Sequence, residues 1–169
     1  LEIFKISSFH VTDLKLIEAV AQVNKPVIIS TGMSTIEEID EAVKILDKYK
    51  CQYLIMHCVS SYPAKPEDLN LRAIITLKDR YGCLVGYSGH ETLLAPTLAA
   101  ATLGACMIER HITLDRAMWG SDHAASLGPD GLWKLIANIR NIESALGDGE
   151  KKVYKSEISE IKRLRKVFF

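Results

Sequence analysis

Two short stretches carry the residues most able to do chemistry: Val85-Gly86-Tyr87-Ser88-Gly89-His90 and, further on, Met107-Ile108-Glu109-Arg110-His111-Ile112-Thr113. Each is an apolar run that ends in polar and titratable side chains. Alternation along a strand puts Ser88 and His90 on one face, and Glu109 and His111 on one face of the next strand. If the strands are parallel neighbours, two imidazoles meet at one mouth beside a hydroxyl and a carboxylate. Such a pair could hold a divalent metal and leave positions open for water and substrate oxygens. Alternatively one imidazole is a general base and the other is only hydrogen-bonded. His57 and His123 are weaker candidates, the first as a core histidine at a strand end and the second as a loop residue.

A second set, Ser8, Ser30, Thr31, Ser61 and Ser88 with Lys5, suits an anion. Hydroxyl donors, one ammonium and the start of a helix near Ser34 could hold a phosphate without a dedicated phosphate loop. The plainer alternative is that each Ser or Thr caps the helix that follows it. Lys5 lies in an apolar run, so it is either an edge residue or a charge held by a bound anion. Asp122, in Gly120-Ser121-Asp122-His123, could bind a polyol or simply form a turn. Tyr62-Pro63 is either a rigid turn or a pocket wall.

The elements that must position these groups alternate. Apolar runs at 3–8, 26–30, 53–61, 84–88 and 105–113 read as strands. Between them the pattern predicts helices over 12–23, from Ser34-Thr35-Ile36-Glu37 onward with a capping box, over 71–81 with Asn70 as N-cap, and over 92–103. A last long helix spans 129–146, with Pro129 in its first turn and Gly147 closing it. Near-continuous apolar strands separated by helices mean an α/β fold with a covered parallel sheet. There is no GxGxxG turn, and all five strands end in polar residues, which is the pattern of a β/α barrel. Five strands cannot close an eight-stranded barrel, so the expectation is a partial (β/α)8 TIM barrel over residues 1–147. The polar stretch 148–169 is expected to be a linker with one short helix at 156–165.

At 169 residues the chain can bury a sizeable core, and 48% apolar with 25% charged residues is ordinary for a globular protein. The net charge of zero gives no reason to expect nucleic acid or an anionic membrane as partner. The stretch from Glu150 onward is locally basic without interleaved aromatics, which reads as a solvated tail. Cys51, Cys58, Cys83 and Cys106 show no CxxC spacing and read as buried free thiols in a reducing compartment. With no signal peptide and no apolar run of membrane-spanning length, the expected location is the cytoplasm. The chain opens on Leu1 without an initiator methionine and closes on Val167-Phe168-Phe169, and both ends read as cuts.

Seven motifs occur in order: Lys5-Ile6-Ser7-Ser8, Ser30-Thr31-Gly32-Met33, His57-Cys58-Val59-Ser60-Ser61-Tyr62-Pro63, Asn70-Leu71-Arg72, Gly86-Tyr87-Ser88-x-His90, Glu109-x-His111-x-Thr113-Leu114-Asp115-Arg116 and Asp122-His123-x-x-Ser126-Leu127. Together they resemble the N-acetylneuraminate (sialic acid) synthase family, including its legionaminate, pseudaminate and spore-coat polysaccharide relatives. The resemblance implies a barrel of which this chain holds the fourth to eighth strands, followed in family members by a small antifreeze-like domain. It implies condensation of phosphoenolpyruvate with an N-acyl-mannosamine-type sugar to a nine-carbon 2-keto-3-deoxy acid, with release of phosphate and use of Mn2+ or Mg2+. By position, His90 and His111 would be metal ligands. Lys5, Ser8, Ser30, Ser61 and Ser88 would hold phosphoenolpyruvate, and Tyr62, Glu109 and Asp122 would face the sugar. A homodimer is implied for the full-length form.

Two positions depart from the family pattern. Phe9 is followed by His10 where the family has an acid, so His10 would substitute as a base near neutral pH or mark altered activity. Gly89 stands where the family's Gly-Tyr-Ser-Asp-His has its acid, which predicts loss of a carboxylate that could orient His90. The leading expectation is a piece of a sialic-acid-type synthase, active only with the preceding strands. The alternatives are another phosphoenolpyruvate-using synthase or barrel aldolase, and a degenerate barrel that binds sugar acids without turnover.

Overall fold

The computed structural model describes residues 1–166; Val167-Phe168-Phe169, read above as a cut end, lie outside the described residues. Five strands, β1 (Phe4–Ile6), β2 (Val27–Ser30), β3 (Tyr53–Cys58), β4 (Leu84–Gly89) and β5 (Ile108–Arg110), form one sheet in the order β1-β2-β3-β4-β5. Every neighbouring pair is parallel. Helices α1 (Leu14–Gln22), α2 (Ile36–Lys48), α3 (Ala73–Tyr81) and α4 (Ala95–Thr102) make the crossovers, and α5 (Pro129–Leu146) and α6 (Ile158–Leu164) follow the last strand. This is the expected arc of a β/α barrel.

The two faces of the sheet have different jobs. Ile6, Ile29, Ile55, Val85 and Tyr87 point to the helices and pack with Ile17, Val43, Leu46, Ile74 and Leu77 in the buried core. Each such side chain, fully buried, contributes about 1.5–3 kcal/mol. The alternate positions, Lys5, Ser30, Cys58, Ser88 and Glu109, therefore share the opposite face, and the registers Cys58↔Ser88 and Ser88↔Glu109 line them up across the strands.

The helix boundaries differ from the sequence reading in three places. The capping box is real but one residue later: Thr35 Oγ1 accepts from Glu38 N at 3.3 Å, and Glu38 Oε2 accepts from Thr35 N at 2.8 Å. Ser34 instead donates to the Gly32 carbonyl. Asn70 does not cap α3; it takes a left-handed φ of 40° in the turn before it, a conformation Asn tolerates, and Arg72 is the N-cap. Helix α4 starts at Ala95, not 92, because Pro96 has no N–H to give and must sit in a first turn. Gly82 closes α3 as expected, with φ 60° and its N–H on Lys78 O at 2.9 Å. Helix α5 has the predicted limits, and the short helix of the tail is α6. Of the four free thiols Cys51 and Cys58 are buried as expected, whereas Cys83 is half-buried and Cys106 is exposed.

Candidate functional site

The carboxyl ends of the five strands open onto a cleft of about 590 Å³. Lys5, Ser8, Ser30, Tyr62, Ser88, His90, Glu109, His111 and Asp122 all line it, so nine residues singled out from the sequence meet in one place. Strand pairing explains much of this. Lys5 Nζ donates to Ser30 Oγ on the next strand at 2.7 Å and lies 3.5 Å from Glu109 Oε2. Ser88 Oγ donates to Glu109 Oε1 at 2.7 Å. Glu109 is thus the counter-charge of Lys5. Ser8, just beyond β1, accepts the Gly32 N–H at 3.0 Å, which leaves its own proton free to donate; Cys58 Sγ is 3.2 Å away.

The two imidazoles converge. The rings of His90 and His111 stand 5.3 Å apart, centroid to centroid, in an edge-on arrangement. Tyr62 packs against both, at 4.2 and 5.6 Å, so it is a wall of the pocket. His90 Nδ1 lies 2.8 Å from the Val59 carbonyl. A carbonyl only accepts, so Nδ1 carries the proton and Nε2 presents its lone pair. Burial pushes the His90 pKa down, which favours that neutral ring. With Gly89 in place of the acid, the group that orients His90 is a backbone carbonyl. His111 Nδ1 faces Asp122 Oδ2 at 3.4 Å.

Asp122 reaches His111 because the chain returns to the strand end. Leu127 N donates to His111 O at 2.8 Å and Thr113 N to Leu127 O at 2.9 Å, so the loop over 114–126 leaves and re-enters the sheet rim. Within it, His123 Nδ1 and Thr113 Oγ1 are 2.7 Å apart, which makes His123 a loop brace.

Three expected site residues, Ser61, His10 and Thr31, are not brought into the cleft. Ser61 is exposed and turns to the Pro63 carbonyl at 3.4 Å; its neighbour Ser60 lines the cleft. The His10 ring stacks on Phe9 and meets Ser7 Oγ at 3.2 Å, and Phe9, not His10, lines the cleft. Thr31 is a buried brace on the Met56 carbonyl at 3.0 Å. His57 is a core histidine: Nε2 and Leu69 O are 2.8 Å apart, and burial lowers its pKa. Cys58 and Ser60 are not among the residues singled out from the sequence; alternation along β3 points to Cys58, and Ser60 has only its place in the same segment as Tyr62. A second cleft, of about 690 Å³, adjoins the first and shares Met33, Cys58 and Ser60 with it.

The model of the NeuB family matches residues 1–151. The chain belongs to the NeuB family. Family relatives include the N,N'-diacetyllegionaminic acid synthase of Campylobacter jejuni, 45% identical over 169 residues that cover 98% of this chain and 51% of that protein. The human N-acetylneuraminate-9-phosphate synthase is 38% identical over 157 residues, covering 92% of this chain and 44% of that protein. The chain thus spans about half the length of the curated relatives it matches. Among solved structures, the N-acetylneuraminic acid synthetase of Leptospira borgpetersenii, in complex with citrate, is similar at a TM-score of 0.86 and 40% identity, over 96% of this chain and 57% of that one. A 3-deoxy-D-arabino-heptulosonate 7-phosphate synthase of Thermotoga maritima shares the fold alone, at a TM-score of 0.71 and 18% identity. The barrel arc is therefore that of a NeuB family chain.

Proposed function

We propose that this chain carries the metal and phosphoenolpyruvate half of a synthase that condenses phosphoenolpyruvate with an N-acyl hexosamine to a nine-carbon 2-keto-3-deoxy acid. The observation that carries the reading is the pair of imidazoles 5.3 Å apart at the end of a Ser/Lys cradle. Two imidazole nitrogens fit a divalent first-row cation such as Mn2+ better than Mg2+, which prefers oxygen ligands. His90 has its far nitrogen anchored on Val59 O, and His111 faces Asp122, the arrangement that metal-binding imidazoles use. Among the described residues no group of three or more His, Cys, Asp and Glu is placed to hold a metal. By the convergence of their rings, His90 and His111 would be the two protein ligands, with the other positions left to water and substrate oxygens. The cation would act as a Lewis acid on the acceptor carbonyl.

The residues of the chain do the rest. Lys5, Ser8 and Ser30 offer an ammonium and hydroxyl donors to the phosphate or carboxylate of the enol phosphate. An anion at Lys5 competes with Glu109 for the ammonium, so binding releases the Glu109 carboxylate toward the sugar. The reaction joins C3 of phosphoenolpyruvate to the sugar aldehyde carbon, adds water at C2 and breaks the C2–O bond to expel phosphate. Holding the enol phosphate against the aldehyde removes much of the entropic barrier to the first step. Tyr62 shields the imidazoles on one side, and Asp122, with Oδ1 accepting from Ser121 Oγ at 3.0 Å and Oδ2 facing His111, keeps further lone pairs for sugar hydroxyls.

The test is phosphate release in the intact protein from phosphoenolpyruvate plus a panel of N-acyl hexosamines, with Mn2+ or with a chelator. Metal-dependent release that is abolished by His90→Ala and by His111→Ala supports the reading. Release that is indifferent to both variants and to chelation refutes it.

A further inference from the structure

Behind the cleft, on the helix side of the sheet, lies a buried polar cluster that the site does not touch. Glu91 is 1% exposed. Its carboxylate accepts the Tyr87 hydroxyl at 2.9 Å, the Thr97 hydroxyl at 2.6 Å and Arg110 Nη1 at 3.2 Å. Arg110 Nη1 also donates to Thr97 Oγ1 at 2.7 Å, and Nη2 donates to the backbone carbonyl of Glu91. Both ion-pair side chains are 2% exposed, and Arg110 Nε is buried without a partner. Two buried charges with an unpaired donor are a poor way to stabilise a fold, because desolvation offsets their attraction. The placement of the pair suggests a different use.

Glu91 directly follows His90, and Arg110 sits between Glu109 and His111. In the β4–β5 register Arg110 lies opposite Gly89. A Cβ at Gly89 would stand 2.7 Å from Glu91 Oε2, 2.8 Å from the Tyr87 ring and 3.0 Å from Arg110 Cδ. Glycine at 89 is what makes room for the carboxylate at 91. The acid expected at 89 and the acid found at 91 exclude one another in space.

We propose that Glu91 and Arg110 are positioning residues that aim the two imidazoles. The guanidinium grips the Glu91 carbonyl, one residue past His90, from the strand that carries His111, so β4 and β5 are tied together just beyond the point where the His90 ring leaves the sheet. The preceding carbonyl, that of His90, accepts from Ala64 N at 3.0 Å. The two peptides that follow His90 are thus both held, which keeps its ring Nδ1 on Val59 O.

The experiment uses the intact protein with Glu91→Gln, Arg110→Met and the double variant Glu91→Leu/Arg110→Met. Long-range 1H–15N spectra of the His90 ring read its tautomer without any metal. Calorimetric titration with Mn2+, well below the Tm of every variant, reads the site itself and rests on the proposed metal reading. In Glu91→Gln the fixed Nδ1-protonated signature of His90 is expected to give way to averaged shifts, and Mn2+ affinity to fall roughly 10–100-fold, the usual effect of losing a residue that orients ligands. The double variant, which replaces the charges by apolar groups, is expected to regain thermal stability without regaining affinity or tautomer. It also decides the matter if either single variant fails to fold. Wild-type His90 signals and wild-type Mn2+ affinity in the double variant would overturn the proposal and leave the pair as core filler. If the wild-type protein binds no Mn2+, the metal reading falls, and the His90 signals alone still decide for or against the positioning role.

Discussion

Gly32→Ala is the sharpest single test of the cradle. Gly32 follows β2, and its N–H holds Ser8 Oγ at 3.0 Å. A Cβ at this position would stand 2.1 Å from Ser60 Oγ, 2.7 Å from Cys58 Sγ and 3.0 Å from Ser8 Oγ. Ordinary contact between such atoms is about 3.5 Å, so the Ser60 hydroxyl must move by more than about 1 Å. The neighbours are ends of small side chains that can rotate, which sets the cost at about 1–3 kcal/mol of overpacking. For a chain of this size that is a fall in Tm of roughly 2–12 °C. The effect on activity is expected to be larger than the effect on stability. Ser8 and Ser60 both line the cleft, and a displacement of about 1 Å at a positioning group costs on the order of 100-fold in rate. Phosphate release gives the kinetics, with KM for phosphoenolpyruvate rising more than KM for the sugar, and differential scanning fluorimetry gives the Tm. Gly32→Ala/Ser60→Gly removes the worst clash and is expected to recover the Tm but not the KM. A Gly32→Ala protein with unchanged KM for phosphoenolpyruvate would refute the placement of that substrate against Ser8.

Other expectations bear on the scaffold. Thr35→Ala should destabilise by about 1 kcal/mol in urea unfolding while Ser34→Ala has little effect, because Thr35 alone accepts the Glu38 N–H; the reverse order would restore the sequence-based capping box. The His57 pKa is depressed by burial below the ordinary 6.5, so its contribution to stability is complete above that value and is lost as pH falls through the folded value. His57→Gln should therefore flatten the loss of Tm between neutral and mildly acid pH, and an unaltered slope would point to other groups. Asp40 is held down to about 2 by the paired Arg80 guanidinium and the Tyr81 hydroxyl. Its contribution is present above the ordinary 3.8 and is lost as pH falls toward about 2, so Asp40→Asn should remove part of the acid transition measured by circular dichroism.

The sequence by itself determined the alternation of strands and helices, because burial on both faces of a parallel sheet writes apolar runs and helical stripes directly into the chain. It also determined which strand ends are polar, and period-two alternation was enough to put Ser88 and Glu109 on the rim. Alternation fails once the chain leaves the strand. Past Cys58 it no longer says which of Ser60 and Ser61 faces the cleft, and only the fold of the turn into Pro63 decided for Ser60. Past Arg110 the loop returns to pair Leu127 with the rim, and that return alone carries Asp122 over His111. The Glu91–Arg110 pair was illegible for the same reason. Residues nineteen apart meet only through the register that sets Gly89 against Arg110, and a register between strands is fixed by packing across the sheet.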